Sequence, residues 1–491
     1  VCSETVELLK SWGFELDPKL EEFLQKIKIH INVNQVGNIV IPGLKGQLYP
    51  FQNKGVSFIE TKEGRALIAD DPGLGKTCQS LAWLQLHPEK RPVIIIVPAS
   101  LKRNWEREAE QWLPNPKVEI LSGTKSWKIT GQIIIINYDI LSGWKDALKA
   151  LKPQVLILDE CHLIKNNSAQ RTKAVKQLAK GIPHIIGLSG TPIINRPIES
   201  YNTIKLIDPT LVGSSWDFAK KFCALHHNGY GWDFNGSSHT SELHSLLVNS
   251  IMIRRLKSEV LTDLPEMIHS FVPIELDNER EYQSAEDDFI AFVQRTKGAD
   301  AAEKANNAAT LAEIEGLKQL AVKGKMKQAI GWIENFLESD GKLVVFAVHK
   351  FVIDQLMETF KGIAVKIDGS VSNDDRQKAV DAFQTNDKIR LFVGNLQAAG
   401  VGITLTAASN LVFLELGWSP SLMEQAAARI HRISQKFSVT IYYLLARNTI
   451  EEKIAKLLDK KKKTVDAIMD GIETDQASLL SELMKSIVKP K

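Results

Sequence analysis

Residues 66–80 read ALIADDPGLGKTCQS. The stretch opens apolar, crosses a Gly-rich turn and leaves through Lys76 and Thr77. That order predicts a buried strand, a phosphate-holding loop and a helix. Gly73, Leu74 and Gly75 form the turn, whose glycines let backbone N–H groups approach phosphate oxygens. The following helix N-terminus adds partial positive charge. Lys76 is placed to neutralise terminal phosphates, and the Thr77 hydroxyl to ligate Mg²⁺, with Cys78 next in the first turn. Position 70 is Asp where the general phosphate-loop pattern has Gly, so Asp70 belongs to a variant loop.

Working outward, apolar runs of four to seven residues alternate with amphipathic stretches. The runs ALIAD, VIIIVP, VEIL, IIIIN, VLILDE and HIIGLS are apolar throughout. Such runs predict strands buried on both faces, hence a parallel sheet covered by helices. A second set begins at residue 342 with KLVVFAV, AVKIDG, IRLFVGN, NLVFLEL and VTIYYLLA. The fold expectation is α/β, with two doubly wound lobes. The predicted divisions are a short helical lead-in at 1–44, lobe 1 at 45–195, polar helical insertions at 196–335, lobe 2 at 336–475 and a tail at 476–491.

Bulk properties narrow the classes. The chain has 491 residues, 44% hydrophobic and 24% charged, with a net charge of +3. Length suits two to four domains, each with its own core. Global charge does not announce a nucleic-acid binder, which leaves room for a local basic groove. Cys2, Cys78, Cys161 and Cys223 form no C-x-x-C pair. That fits a reducing, intracellular setting better than a disulfide scaffold. The apolar runs fall far short of the roughly 18 residues of a membrane span, so no membrane partner is expected. The chain opens on Val1 rather than Met, as a fragment would.

Two further turns carry chemistry. In VLILDECHLIKN, Asp159 and Glu160 stand at the C-terminal end of a buried strand, where ligands of open α/β sheets bind. One carboxylate suits Mg²⁺ and the other suits orienting and polarising water. With the phosphate loop, the pair predicts hydrolysis of a nucleoside triphosphate. In GLSGTP (187–192), Ser189, Gly190 and Thr191 can relay nucleotide state toward that strand. Upstream, QLYPFQNKGVSFI places Gln52 before a helix, where an amide can read an adenine edge.

The order of motifs now resembles the motor of superfamily 2 helicase-like ATPases of the Swi/Snf type. YPFQNKGV, DDPGLGKT, IIIVPASLKRNWERE, DECHLIKN, LSGTP, IRRLKSEVLTDLP and QAAARIHRISQ all stand in family order across about residues 45–470. The resemblance implies two RecA-like lobes, ATP and Mg²⁺ as cofactors, and double-stranded or forked DNA as partner. It implies that Arg429 and Arg432 act as arginine fingers, with Gln425 on the same segment as a coupling residue. It places Gly400 and Gly402 in a loop facing both DNA and nucleotide. Ser100, Lys102, Asn137, Tyr138 and Arg376 become candidate nucleic-acid contacts.

A narrower similarity is to the annealing-helicase, HepA-related branch. WDFNGSSHTSELHSLLVNSIMIRRLKSEVLTDLP, VVFAVHK and AAGVGITLTAASNLVFLELGWSPSLMEQ carry it. This implies strand annealing or fork remodelling by a monomer, with a single-strand-binding protein as a candidate partner. Departures are Pro72 for Met, Cys161 for a small residue, Ala427 and Ala428 for an acidic pair, and Ser434 for Gly. None removes a phosphate or Mg²⁺ ligand. The alternatives left open are a strand-separating DNA or RNA helicase, a chromatin-remodelling motor, and a nucleotide-switched scaffold without turnover. The group Cys223, His226, His227, His239 and His244 fits no common zinc spacing.

Overall fold

The computed structural model describes residues 39–458, apart from 191, 193–195, 228–230, 235, 262, 297–302, 340, 400 and 401. Thr191 and Gly400, most of the lead-in and the end of the chain therefore lie outside the described residues.

The first lobe is a parallel sheet. Its strands are β1 (Arg65–Ile68), β2 (Val93–Val97), β3 (Val118–Ile120), β4 (Ile133–Asn137), β5 (Val155–Asp159) and β6 (His184–Leu188). Every residue of β2, β4 and β5 is buried, as continuous apolar runs require when helices cover both faces. A small antiparallel pair follows, β7 (His226–His227) with β8 (Trp232–Asp233), and then β9 (Met252–Ile253). The spatial order is β3-β4-β2-β5-β6-β1-β9.

The second lobe is a six-stranded parallel sheet. Its members are β10 (Met267–Ile274), β11 (Leu343–Ala347), β12 (Ala364–Ile367), β13 (Leu391–Asn395), β14 (Asn410–Phe413) and β15 (Val439–Ala446), in the order β10-β15-β14-β11-β13-β12.

The stretch 196–335, expected to hold polar helical insertions, also supplies a strand to each sheet. Met252–Ile253 pairs with β1 and extends the first sheet. Met267–Ile274 pairs over its whole length with β15 and edges the second. Both are edge strands. Met267, Ile268 and Phe271 stay exposed, so the fully apolar signature of a central strand is missing. Each lobe has apolar clusters on both faces of its sheet. In lobe 2 the helix Glu303–Leu337 is tied down by a buried ion pair. Lys325 Nζ lies 2.7 Å from Glu451 Oε2, with Lys325 wholly buried. No described helix is long and apolar enough to cross a membrane.

Candidate active site between the lobes

The phosphate loop joins β1 to the helix Lys76–Leu86. Gly75 takes a left-handed conformation as N-cap (φ 79°), which glycine adopts without strain. A Cβ there would also stand 2.5 Å from Gln52 Nε2. Lys76 Nζ donates to the carbonyls of Asp70 (2.6 Å) and Asp71 (3.3 Å), folding the loop around its own ammonium. Burial lowers the Lys76 pKa against the opposing pull of Glu160, Asp70, Asp159 and Asp71.

Two of the sequence-predicted nucleotide residues brace the loop. The Gln52 amide donates to Leu74 O (3.2 Å) and accepts from Tyr49 N (3.0 Å), so both of its ends are engaged. The Asp70 carboxylate is fully buried and turned away from the loop's mouth, toward Arg255 and Gln79. Arg255 Nε donates to Oδ1 at 2.9 Å, Arg255 Nη2 contacts Oδ2, and Gln79 Nε2 donates to Oδ2 at 3.0 Å. The cause is charge pairing, which a fully buried carboxylate requires. Cys78 is buried, donates to Gly75 O (3.0 Å), and has its thiol pKa pushed up by desolvation.

The carboxylates stand beside the loop. Asp159 ends β5 and accepts from Trp105 Nε1 at 2.7 Å and from Glu160 N at 3.1 Å. Burial, then the neighbouring Glu160, raises the Asp159 pKa. Burial also pushes Glu160 up, but the His162 hydrogen bond and the charges of His162, Lys76 and Arg429 outweigh it and hold Glu160 low. Glu160 is a non-glycine residue in the left-handed region (φ 50°), a conformation that turns its side chain out of the strand and into the cleft. Its Oε2 lies 3.2 Å from His162 Nδ1 and 3.5 Å from Ser189 Oγ. Ser189 Oγ is in turn 3.1 Å from His162 Nδ1. A Cβ on Gly190 would stand 2.8 Å from Pro72 Cγ, so the LSG turn presses directly on the phosphate loop.

Lobe 2 closes the far wall. Gln425 Nε2 points to Glu160 Oε1 across the cleft at 3.5 Å. Arg429 is held by Gln425 O (2.9 Å) and Ile403 O (3.5 Å), and Arg432 by Thr404 Oγ1 (2.5 Å). The Arg432 stem comes within 3.6 Å of the position a Cβ would take on Gly73. Burial, then the adjacent Arg432, lowers the Arg429 pKa to about 10. Ala427 and Ala428 are both buried, and so fill the segment that sets these arginines with apolar contacts.

The candidate nucleic-acid residues have other places. Tyr138 is 2% exposed and its hydroxyl donates to Asp159 O at 2.8 Å, beneath the active strand. Asn137 is buried and bonds Asp139. Lys102 Nζ donates to Leu121 O at 3.1 Å. Arg376 spends Nε, Nη1 and Nη2 on the carbonyls of Val371, Ala398 and Asp368. Ser100 is half-buried on the short turn Ala99–Leu101. Gly402 sits against that same turn. A Cβ there would meet Leu101 Cδ2 at 1.8 Å, so that side chain would have to shift, and φ is +80°, a conformation that favours glycine. Gly402 thus makes a contact between the lobes.

Sequence reasoning missed Trp105, His162, Arg255 and Lys257. Lys257 N donates to Asp71 Oδ2 (3.0 Å) and its Nζ to His431 O (2.7 Å). The motif IRRLKSEV was visible, but it lies about 180 residues from the loop it touches. No local pattern encodes that approach.

Two parallel-sheet lobes, a phosphate loop on one, paired carboxylates at a strand end and arginines from the other define a two-lobed, nucleotide-using fold of helicase type. The chain belongs to the SNF2-related family: the SNF2-related domain matches residues 51–323 and the helicase conserved C-terminal domain residues 324–434. Among similar proteins is the Xenopus laevis SWI/SNF-related matrix-associated actin-dependent regulator of chromatin subfamily A-like protein 1. It is 36% identical over 433 residues, 86% of this chain and 44% of the relative. Another is the Mus musculus DNA annealing helicase and endonuclease ZRANB3, 34% identical over 452 residues, 87% of this chain and 41% of the relative. The chain spans less than half the length of these relatives. The solved Sulfolobus solfataricus SWI2/SNF2 ATPase core in complex with dsDNA is 26% identical, covers 89% of this chain and 96% of that one, and superposes with a TM-score of 0.44.

Proposed function

We propose that the chain is the motor of an ATP-driven translocase on double-stranded DNA that serves strand annealing or fork remodelling in DNA repair or replication. The observation that carries this reading is the cross-cleft approach of Gln425 to Glu160, with Lys76 on one wall and Arg429 and Arg432 on the other. Hydrolytic groups split between two lobes make turnover depend on lobe closure, which is what a stepping motor needs. Among similar proteins, the Mus musculus relative named as a DNA annealing helicase favours duplex rejoining as the outcome.

The proposed roles follow from position. Glu160 polarises the attacking water, with its orientation fixed by His162 and Ser189. Lys76 exchanges the loop carbonyls for phosphate oxygens. Arg429 and Arg432 stabilise charge that builds on the transferred group. Thr77 and Asp159 would hold Mg²⁺. They are hard oxygen donors, and two such groups with phosphates suffice for this ion. When bound, Mg²⁺ supplies charge neutralisation at the phosphates. DNA contacts are expected mainly to backbone phosphates, so binding should be indifferent to sequence and sensitive to salt. In this reading the protein is intracellular, acts as a monomer and works alongside a single-strand-binding protein.

The test uses one preparation on two substrates, with ATP and with a non-hydrolysable analogue. ATP-dependent displacement of a third strand from a triplex, with poor unwinding of a partial duplex, is the expected result. Efficient unwinding without triplex displacement would make the chain a strand-separating helicase instead.

A further inference from the structure

The segment Ile253–Val260 leaves β9 and runs along the phosphate loop. Its first cations are occupied there. Arg255 clamps Asp70, bonds Gln79 Oε1 at 3.0 Å and packs over the Phe51 ring. Arg254 lies 3.8 Å from Asp71 Oδ1 and donates to Ala69 O at 3.3 Å. Lys257 differs. Its backbone N–H is the group that meets Asp71, while its ammonium crosses the cleft to the neutral carbonyl of His431 in lobe 2.

That ammonium also lies over the loop. A Cβ on Gly73 would stand 3.7 Å from Lys257 Nζ and 3.6 Å from Arg432 Cγ. Lys257 therefore joins Lys76, Arg429 and Arg432 around one stretch of backbone built to receive phosphate. Asp71, Glu108, Asp159 and Glu160 offset part of the repulsion among these four cations, and a polyanion bound over the loop would be attracted to all four at once. An ammonium carries three donors, so it can keep the His431 carbonyl and still reach phosphate oxygens.

We propose that Lys257 contacts the terminal phosphate of the bound nucleoside triphosphate while bridging to the His431 carbonyl, so that one side chain senses both the phosphate and the closure of lobe 2. The electrostatics agree with this placement. Burial lowers the Lys257 pKa to about 7. Asp71 acts to raise it, and Arg432, Arg429 and Lys76 act to lower it. A γ-phosphate would place a further anion beside this ammonium, acting with Asp71 to favour its charged form, and a diphosphate lacks that group. Lys257 would then discriminate triphosphate from diphosphate, a role distinct from that of the loop lysine.

This inference rests on the cleft being a nucleoside-triphosphate site, and nucleotide binding without turnover tests the two separately. Affinities for ADP and for a non-hydrolysable ATP analogue are measured by titration on wild type, Lys257→Met and Lys257→Arg. The Met variant is expected to bind the analogue about 10-fold or more weakly, the scale of a lost charge-assisted hydrogen bond, with ADP affinity held within about two-fold. The retained ADP affinity also reports that the variant is folded. The Arg variant, which keeps the charge, is expected to bind the analogue within about three-fold of wild type. Equal losses for both nucleotides, no loss for either, or an Arg variant as weak as Met would each overturn the assignment. A wild-type protein that binds neither nucleotide would overturn the reading of the cleft itself.

Discussion

The nucleotide cleft and the segments expected to face nucleic acid differ in where their polar side chains are aimed. In the cleft, Lys76, Glu160, Arg429, Arg432 and Lys257 come from both lobes and converge on one loop. In the other group, Tyr138 and Asn137 are buried, Lys102 and Arg376 are half-buried, and all four bond to the protein's own groups. The contrast teaches that catalysis on a phosphate needs particular side chains at fixed positions. Holding a nucleic-acid backbone does not, because main-chain N–H groups and many interchangeable residues can do it. Residue identity therefore marks the first kind of site far more sharply than the second.

The strongest way to break that contrast is at the lobe 2 wall. Arg429→Ala and Arg432→Ala should each lower steady-state phosphate release by about 10³- to 10⁵-fold, as loss of an arginine finger does. DNA affinity without nucleotide should be kept. Lost DNA affinity with normal turnover per bound complex would move both arginines to the other side of the comparison.

A smaller effect is expected on the lobe 1 wall. Glu160→Gln should cost roughly 10³-fold in turnover, within the range of general-base catalysis, and retain nucleotide binding. The amide keeps the size of the side chain and the reach to Ser189 and Gln425. Near-normal phosphate release from this variant would place the water-polarising group elsewhere.

The smallest effects sharpen the second group. Arg376→Ala removes three hydrogen bonds to backbone carbonyls and should lower stability by roughly 2 kcal/mol, and Tyr138→Phe by about 1 kcal/mol. Denaturant midpoints measure both. DNA affinity of the folded variants, followed by filter binding across a salt series, should match wild type. An Arg376→Ala protein of normal stability with weakened, less salt-dependent DNA binding would make Arg376 a phosphate contact after all.

Much of this molecule was legible in the chain itself. Apolar runs such as VIIIV and VLILD, bounded by turn residues, favour strands covered on both sides, and a glycine-bracketed Lys-Thr after such a run favours a loop feeding a helix; both are what the fold contains. These are local consequences of periodicity and backbone freedom, so neighbouring residues determine them. The position of Asp159 and Glu160 at a strand end was fixed in the same way.

Contacts between distant residues were decided by tertiary structure alone. Asp70 was expected among the nucleotide-binding residues of the loop, and its carboxylate partner is Arg255, 185 positions away. Gln52 was expected to read an adenine edge, and the fold adds a second task, since its amide also bridges Tyr49 N and Leu74 O. Met267–Ile274 lacked the mark of a buried strand because only one of its edges is paired, and pairing with β15 alone makes it one. Lys257 acquires its partners from a lobe whose sheet begins after it in the chain. The physical reason is common to all four. Sequence sets what each residue can bond to, but a buried charge or amide takes whichever partner the packed chain brings within about 3 Å, and only the closed three-dimensional arrangement names that partner.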